Sequence, residues 1–181
     1  MKRREALRYV MMATATAVVL PSCVFNKKKE ASVSLKNLPI TGDQEETLAL
    51  ITETLIPETD IVGAKSLGAH LFVLKMVNDC YDSKTQESFM KGLGQIDDVT
   101  DKKFGKSFGE CTVSEREDIL KSIDAKDASI PADVLEFYKL TKGHTIEAFM
   151  TCEYVMTKIE GYEYLPGRFN GCVDVKTKKT A

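Results

Sequence analysis

Residues 43–64 read DQEETLALITETLIPETDIVGA and decide the class of fold. Asp43, followed three residues later by Glu46, has the form of a capping box at a helix start. Apolar residues then recur at helical spacing, at Leu48, Ile51, Leu55 and Ile56. Pro57 cannot continue a helix, and the turn-forming residues after it indicate a loop. The stretch therefore predicts an amphipathic helix over residues 43–56 and a loop behind it.

Helix starts of the same kind recur along the chain. The predicted caps are, in chain order, Ser66, then Ser83 with Gln86, and then Thr112 with Glu115 or Ser114 with Glu117. Each is followed by apolar residues at helical spacing, and no segment shows sustained strand alternation. The sequence thus predicts an all-α protein, a compact bundle of five or six helices in a single domain over residues 43–174, with a tail at 175–181.

The last predicted helix is also the longest. It begins at Pro131, which suits the first turn of a helix, and ends at Gly161. The segment Lys142-Gly143-His144 is predicted to kink or divide it. The apolar residues assigned to the core in its second half are Ile146, Phe149, Met150, Val155, Met156 and Ile159. Both halves of this helix are therefore expected to be buried.

The amino-acid composition and the net charge indicate the class of protein and exclude one class of partner. The chain has 181 residues, of which 43% are hydrophobic and 29% charged, and this is typical of one globular domain. Its formal net charge of −2 provides no overall positive field. Nucleic acid is therefore not an expected partner.

The first 22 residues have the pattern of a signal peptide. A basic head is followed by an uncharged run from Tyr9 to Leu20, which is too short for a stable membrane span. Arg3-Arg4 resembles the twin-arginine export signal, and general secretion is the alternative. We therefore expect export from the cytoplasm.

Leu20-Pro21-Ser22-Cys23 resembles a bacterial lipobox. Its position directly after the apolar run predicts that Cys23 becomes the lipidated first residue of the mature chain. The alternative is that Cys23 is a fifth structural cysteine. Residues 23–42 have no periodic apolar pattern and are predicted to be a flexible tether between the anchor and the domain.

The four remaining cysteines suit an oxidising compartment. They are Cys80, Cys111, Cys152 and Cys172, and four cysteines allow three pairings. The pair Cys80–Cys111 is preferred because it closes a short loop, with Cys152–Cys172 as the remainder. Some of the four are alternatively small buried residues without a partner.

The sequence lacks the short motifs of common nucleotide-binding sites and of dithiol redox sites. It contains no P-loop, no G-x-G-x-x-G and no C-x-x-C. Its two histidines, His70 and His144, are far apart and do not form a metal-binding pair. We therefore expect no catalytic residue, cofactor or metal site in this chain.

Several segments of the domain together resemble a known family. They are Leu50 to Asp60 (LITETLIPETD) followed by Gly63-Ala64, then Phe104-Gly105 to Phe108, then Phe137 to Thr141, and finally Gly161-Tyr162 through Pro166-Gly167 to Phe169 and Gly171-Cys172. Over roughly residues 44–174 the chain resembles the gluconate 2-dehydrogenase subunit 3 family, the small subunit of membrane-associated flavin dehydrogenases. Val62 departs from the family's usual second proline, and residues 143–146 depart from its usual Gly-Tyr-Tyr-Thr.

The resemblance implies a role without catalysis. Such small subunits escort, export and stabilise a large FAD-dependent dehydrogenase of the glucose-methanol-choline type. FAD is expected in that large subunit and not in this chain, and a cytochrome subunit is a further partner of such complexes. The expected location is the periplasmic side of the cell envelope, with the lipid on Cys23 as the membrane anchor.

Two loops are the predicted partner surface, because loops on a rigid scaffold often carry binding and Tyr and Arg are favoured interface residues. The candidates are Pro57, Thr59, Asp60 and Gly63 in the first loop and Tyr162, Tyr164, Arg168 and Phe169 in the second. The competing hypothesis is a free-standing envelope lipoprotein that binds another protein or a ligand.

Overall fold

The first helix, α1, spans Gly42–Leu55, and Thr41 caps it. The side chain of Gln44 accepts a hydrogen bond from the Thr41 backbone N–H at 3.0 Å, and the Gln44 N–H donates to Thr41 Oγ1 at 3.3 Å. The predicted cap at Asp43 was therefore wrong by two residues, because a Thr-x-x-Gln box precedes it. Asp43 instead lies in the first turn, where a carboxylate stabilises the helix dipole.

The second and third helices begin differently from the prediction. The second, α2, spans Ala69–Cys80, and its cap is Gly68 in the left-handed conformation with φ 71°. Ser66, the predicted cap, instead donates a hydrogen bond to Glu58 at 2.9 Å. The third, α3, spans Ser83–Phe104, and its cap is Asp82, whose carboxylate accepts from the Thr85 N–H at 3.0 Å. Ser83 is thus the first helical residue and not the cap.

Gln86 holds α2 and α3 together. Its buried side-chain amide lies 3.0–3.1 Å from the carbonyl oxygens of Val77, Asn78 and Tyr81 at the end of α2. These carbonyls have no partner within their own helix. The predicted capping role of Gln86 was therefore wrong, because the end of α2 lies within reach of its side chain.

Helix α4 spans Val113–Asp124 and follows a short 3₁₀ helix at Phe108–Glu110. Of the two predicted caps, the Thr112–Glu115 box is the one that forms. A hydrogen bond from Lys106 Nζ at 2.8 Å, with further hydrogen bonds from Thr112, lowers the pKa of Glu115 to about 2. This ionised carboxylate therefore stabilises the folded state at neutral pH, and its contribution is lost as the pH falls below about 4.5 towards 2.

Helix α5 spans Ala132–Thr151 without interruption, so the predicted kink at residues 142–144 was wrong. A glycine inside a helix is unfavourable by only about 1 kcal/mol relative to alanine, which packing on either side offsets. The helix ends ten residues before Gly161. A π-helical turn at Val155–Ile159 follows, and Gly161, with φ +68°, then redirects the chain.

The core lies where α5 packs against α3 and α2. The rings of Phe89 and Phe137 lie 5.0 Å apart, and both side chains are fully buried. At Gly92 the two backbones touch, since a Cβ there would lie 2.3 Å from the Asp133 carbonyl oxygen and 2.4 Å from Phe137 Cβ. Only glycine allows this close approach of the two helices.

Residues 31–40, which we name the strap, lie against the helices. Leu38 is 2% exposed and belongs to the core. Asn37 donates from its backbone to Asn78 Oδ1 at 2.8 Å and from its side chain to the Asn78 carbonyl at 3.0 Å. Ser32 is bonded to Glu45 of α1. The strap, which lies within the predicted tether at residues 23–42, thus contacts the helices through Leu38 and these hydrogen bonds.

The computed structural model describes residues 29–165, 167–169 and 171–172. Within these residues it contains five α-helices, the 3₁₀ helix and the π-helical turn, with no strand among the elements. Ala31 onward forms one compact unit. The predicted all-α class is confirmed. The predictions on Arg3, Arg4, Cys23 and the tail at 175–181 lie outside the described residues.

Candidate partner-binding surface

The described residues contain no group of three or more His, Cys, Asp or Glu side chains that could hold a metal ion. An open groove of about 710 Å³ lies between the strap and the start of α3. Its lining includes Pro39, Tyr81, Asp82 and Met90, with no histidine or cysteine.

The first predicted interface loop, residues 57–64, is tied to its own helices. The Ala64 N–H donates to the Ile56 carbonyl at 3.0 Å and closes the base of the loop. The Thr59 N–H donates to the Ile61 carbonyl at 3.0 Å. Pro57, Thr59 and Asp60 are exposed, and their charged and polar groups face solvent.

Gly63 has a structural role in this loop. It is buried, and a Cβ there would lie 2.7 Å from the Glu58 nitrogen. A partner therefore has no access to Gly63, although it was among the predicted interface residues. Position 63 requires glycine because the two sides of the loop approach each other closely there.

The second predicted loop has the opposite character. Large side chains project into solvent: Tyr162 is 52% exposed, Tyr164 84%, Leu165 84% and Phe169 93%. Arg168 forms an ion pair with Glu163 at 2.8 Å, and both side chains are largely exposed. The chain here has no regular secondary structure. We name residues 161–165 and 167–169 the arm.

The second half of α5 is also more exposed than predicted. Ile146 is 47% and Met150 48% exposed, although both were assigned to the core. Val155 is buried, as predicted. The sequence pattern gave no warning, because apolar spacing predicts which residues share a face and not which face finds a partner.

A polar cluster lies where α5 faces the turn between α2 and α3. Tyr81 Oη and His144 Nε2 lie 2.9 Å apart, and His144 Nδ1 lies 2.9 Å from Glu147 Oε2. A neutral His144 satisfies both contacts if Nδ1 carries the proton, donating to Glu147 and accepting from the Tyr81 hydroxyl. Phe72 packs edge-on at 6.3 Å between ring centroids. Sequence could not pair Tyr81 with His144, because 63 positions separate them.

The four cysteines predicted to form disulfides are free thiols in the structure. Cys80 and Cys172 are exposed, whereas Cys111 is buried with Sγ 3.4 Å from the Ser107 carbonyl oxygen. Burial raises the pKa of the Cys111 thiol. Cys152 Sγ lies 3.1 Å from the Phe149 carbonyl oxygen. Disulfide formation among the four stays a prediction.

His70 is a boundary residue on α2 and faces no second histidine. Burial lowers its pKa, and the charge of Glu45 opposes that shift. The neutral imidazole is therefore favoured.

Among residues 29–165, no helix combines the length and the hydropathy needed to cross a membrane. The model of a family described as "Gluconate 2-dehydrogenase subunit 3" matches residues 42–167. No curated protein and no solved structure matches the sequence. The match begins at the first residue of α1 and ends within the arm, so it covers all five α-helices.

Proposed function

The chain belongs to the gluconate 2-dehydrogenase subunit 3 family, and from this premise we propose that it is the non-catalytic subunit that escorts, exports and stabilises a FAD-dependent dehydrogenase. Membership makes it an accessory subunit of an oxidoreductase complex. The observation that carries the proposal is the match over residues 42–167, which spans the helical domain. The partner is a flavoprotein of the glucose-methanol-choline type, and a cytochrome subunit can complete the complex.

Membership of the family supports a role without chemistry for this chain, with FAD bound by the partner subunit. What the domain does offer is a well-packed helical scaffold with exposed aromatic side chains at one end. Such an arrangement suits protein binding.

Export and location are part of the same proposal. Arg3-Arg4 and the uncharged run behind it are the proposed export signal, and Cys23 is the proposed lipidation site. One signal on this subunit would serve a partner that is exported after folding around its cofactor. The complex would then be held at the periplasmic side of the envelope by the lipid on Cys23.

Deletion of the gene in its own cells tests the escort role. Gluconate-dependent dye reduction and bound FAD are measured in cytoplasmic and envelope fractions. We expect the activity to leave the envelope and the flavoprotein to accumulate inside the cell. Normal envelope activity in the deletion strain would contradict the proposal.

Two variants, each expressed in the deletion strain, separate export from membrane anchoring. Arg3→Lys with Arg4→Lys should keep the flavoprotein in the cytoplasm if export is of the twin-arginine type. Cys23→Ala should allow export but release the complex from the membrane, because the lipid is the proposed anchor. Unchanged membrane attachment of Cys23→Ala would contradict lipidation at this residue.

A further inference from the structure

The largest exposed apolar side chains of the described residues are concentrated after the middle of α5. We propose that the arm and a stripe of α5 made by Gly143, Ile146 and Met150 form one docking surface, and that its occupant is the flavoprotein catalytic subunit. This inference rests on the proposed function and names the surface that performs it. The arm supplies the main anchors, and the loop at residues 57–64 does not.

The arm is built to bind a partner and not to cover its own domain. Tyr164, Leu165 and Phe169 are almost fully exposed, so none of them contributes to the core. Leaving three such side chains in water is unfavourable. Burial of one fully exposed side chain of this size would stabilise a complex by about 1.5–3 kcal/mol. Aromatic residues and arginine are also the types most enriched at binding hot spots.

The arm and the stripe together provide about the area that a stable interface buries. An aromatic side chain buries about 150–250 Å², so the four large apolar side chains of the arm provide roughly 500–700 Å². A standard interface takes about 800 Å² from each partner. The arm alone therefore falls short of this area, and the half-exposed Ile146 and Met150 supply much of the remainder.

The stripe on α5 precedes the arm in the chain. Positions 143, 146 and 150 are three and four residues apart, so they lie on one face of the helix. Gly143 has open space at its Cβ position, which leaves a flat point for close approach. The Met156 N–H donates to the Cys152 carbonyl at 3.0 Å, and the Tyr162 N–H donates to the Met156 carbonyl at 2.8 Å. These two bonds tie the start of the arm to the residues that directly follow α5.

The charges of the arm favour a protein over a lipid surface. Its ionised groups with described positions, Arg168 and Glu163, pair with each other at 2.8 Å. The arm thus presents no net positive charge, which helices that lie on anionic membranes usually carry. The family match continues to residue 167, beyond the last helical turn. The arm therefore lies largely within the region shared by subunits of dehydrogenase complexes.

Three variants of the full chain test the surface in its own cells. In the arm variant, Tyr164, Leu165 and Phe169 are replaced by serine. In the stripe variant, Ile146→Ser is combined with Met150→Ser. The matched control combines Ile61→Ser with Val113→Ser, two apolar side chains that are 39% and 62% exposed elsewhere on the domain. Thermal unfolding followed by circular dichroism checks that each variant folds.

The readout is the amount of FAD that elutes with the tagged chain from detergent extracts at serial dilution. With hot-spot losses of 2 kcal/mol or more per residue, we expect at least about a hundredfold weaker association for the arm variant. For the stripe variant we expect about tenfold weaker association, and for the control less than about threefold weaker association. This pattern, with the flavoprotein identified by mass spectrometry as a dehydrogenase, supports the inference.

The other outcomes overturn it in distinguishable ways. Equal FAD recovery with the arm variant overturns the inference and leaves the proposed function intact. No FAD with the wild-type chain overturns both. Loss of binding to phosphatidylglycerol vesicles in the arm variant, with FAD recovery unchanged, assigns the arm to the membrane. Arm-dependent dimerisation of the chain, again with unchanged FAD recovery, assigns it to a second copy.

Discussion

The two halves of α5 both carry large apolar side chains, but these side chains have opposite surroundings. The first half places Val134, Phe137 and Tyr138 in the core, whereas the second leaves Ile146 and Met150 half exposed. His144 lies between the halves, where it contacts Phe72 and Tyr81. The difference teaches that an apolar face becomes core only where another element covers it.

The covering elements explain where the change occurs. Gly92 and Phe89 of α3 pack on Phe137, and Tyr81 lies in the turn between α2 and α3. The Tyr81 contact with His144 is therefore made at the end of the α2–α3 hairpin. Ile146 and Met150 follow this contact in sequence, where α5 continues with less cover. An apolar helix face that no other element covers is presented to solvent or to another protein.

The largest expected effect comes from Phe137→Ala. Removal of this buried ring, which packs on Phe89, should lower the free energy of unfolding by about 3–5 kcal/mol. Phe169→Ala is the control, since the exposed ring should change stability by less than about 0.5 kcal/mol. Urea unfolding of the purified domain measures both. Equal losses would break the distinction between core and arm.

A pair of glycine variants in α3 tests the close contact with α5. Gly92→Ala should destabilise the domain by about 3 kcal/mol, because the new methyl group would overlap Asp133 and Phe137. Gly94→Ala has open space at the same helix and should stabilise it by about 0.5–1 kcal/mol. Opposite signs in thermal unfolding are the expected result. A destabilising Gly94→Ala would show that helix packing is not what separates them.

His144→Ala tests the junction between the two halves. It removes the hydrogen bond to Tyr81 and the ring contact with Phe72, and we expect a loss of about 1–2 kcal/mol. Glu147→Ala, which removes the exposed partner of the same histidine, should cost less than about 0.5 kcal/mol. Denaturant midpoints at pH 7 measure both. A larger loss for Glu147→Ala would mean that its contact with His144 stabilises the junction more than the buried contacts do.

The smallest effect is expected at Gly143. Its Cβ position is open, so Gly143→Ala should raise the free energy of unfolding by about 0.5–1 kcal/mol through helix propensity. In the complex the same methyl group would lie in the proposed docking face and should weaken recovery of FAD. Thermal unfolding of the free chain and FAD recovery from extracts separate the two effects. If Gly143→Ala instead destabilised the free chain, Gly143 would have to be packed against another element, as the first half of α5 is.

Much of the fold could be predicted from local patterns. The apolar spacing after residue 43, the stop at Pro57 and the Thr112–Glu115 box each act within one or two helical turns. The predicted caps at Ser66 and Ser83 were wrong, because α2 begins after Gly68 in the left-handed conformation and Asp82 caps α3. Several residues can compete for one cap, so boundaries are less certain than the helices themselves.

The candidate site was predictable only in part. The arm followed from its aromatic residues, and the structure places Tyr162, Tyr164, Arg168 and Phe169 on the surface. Gly63 was misassigned, because its exclusion of a side chain depends on the Glu58 backbone five residues away. Ile146 and Met150 were missed as surface residues, since nothing in their spacing differs from that of a buried stripe.

By itself the sequence determined the helical class, the helix that stops before Pro57, and the family to which the chain belongs. These depend on short-range spacing and on motifs that the chain carries directly. Only the tertiary structure decided that the strap docks through Leu38, that Gly92 allows α3 to touch α5, and that Ile146 and Met150 of α5 stay half exposed. The physical reason is that burial is a property of pairs of elements, and the partner of each apolar face is set by long-range packing.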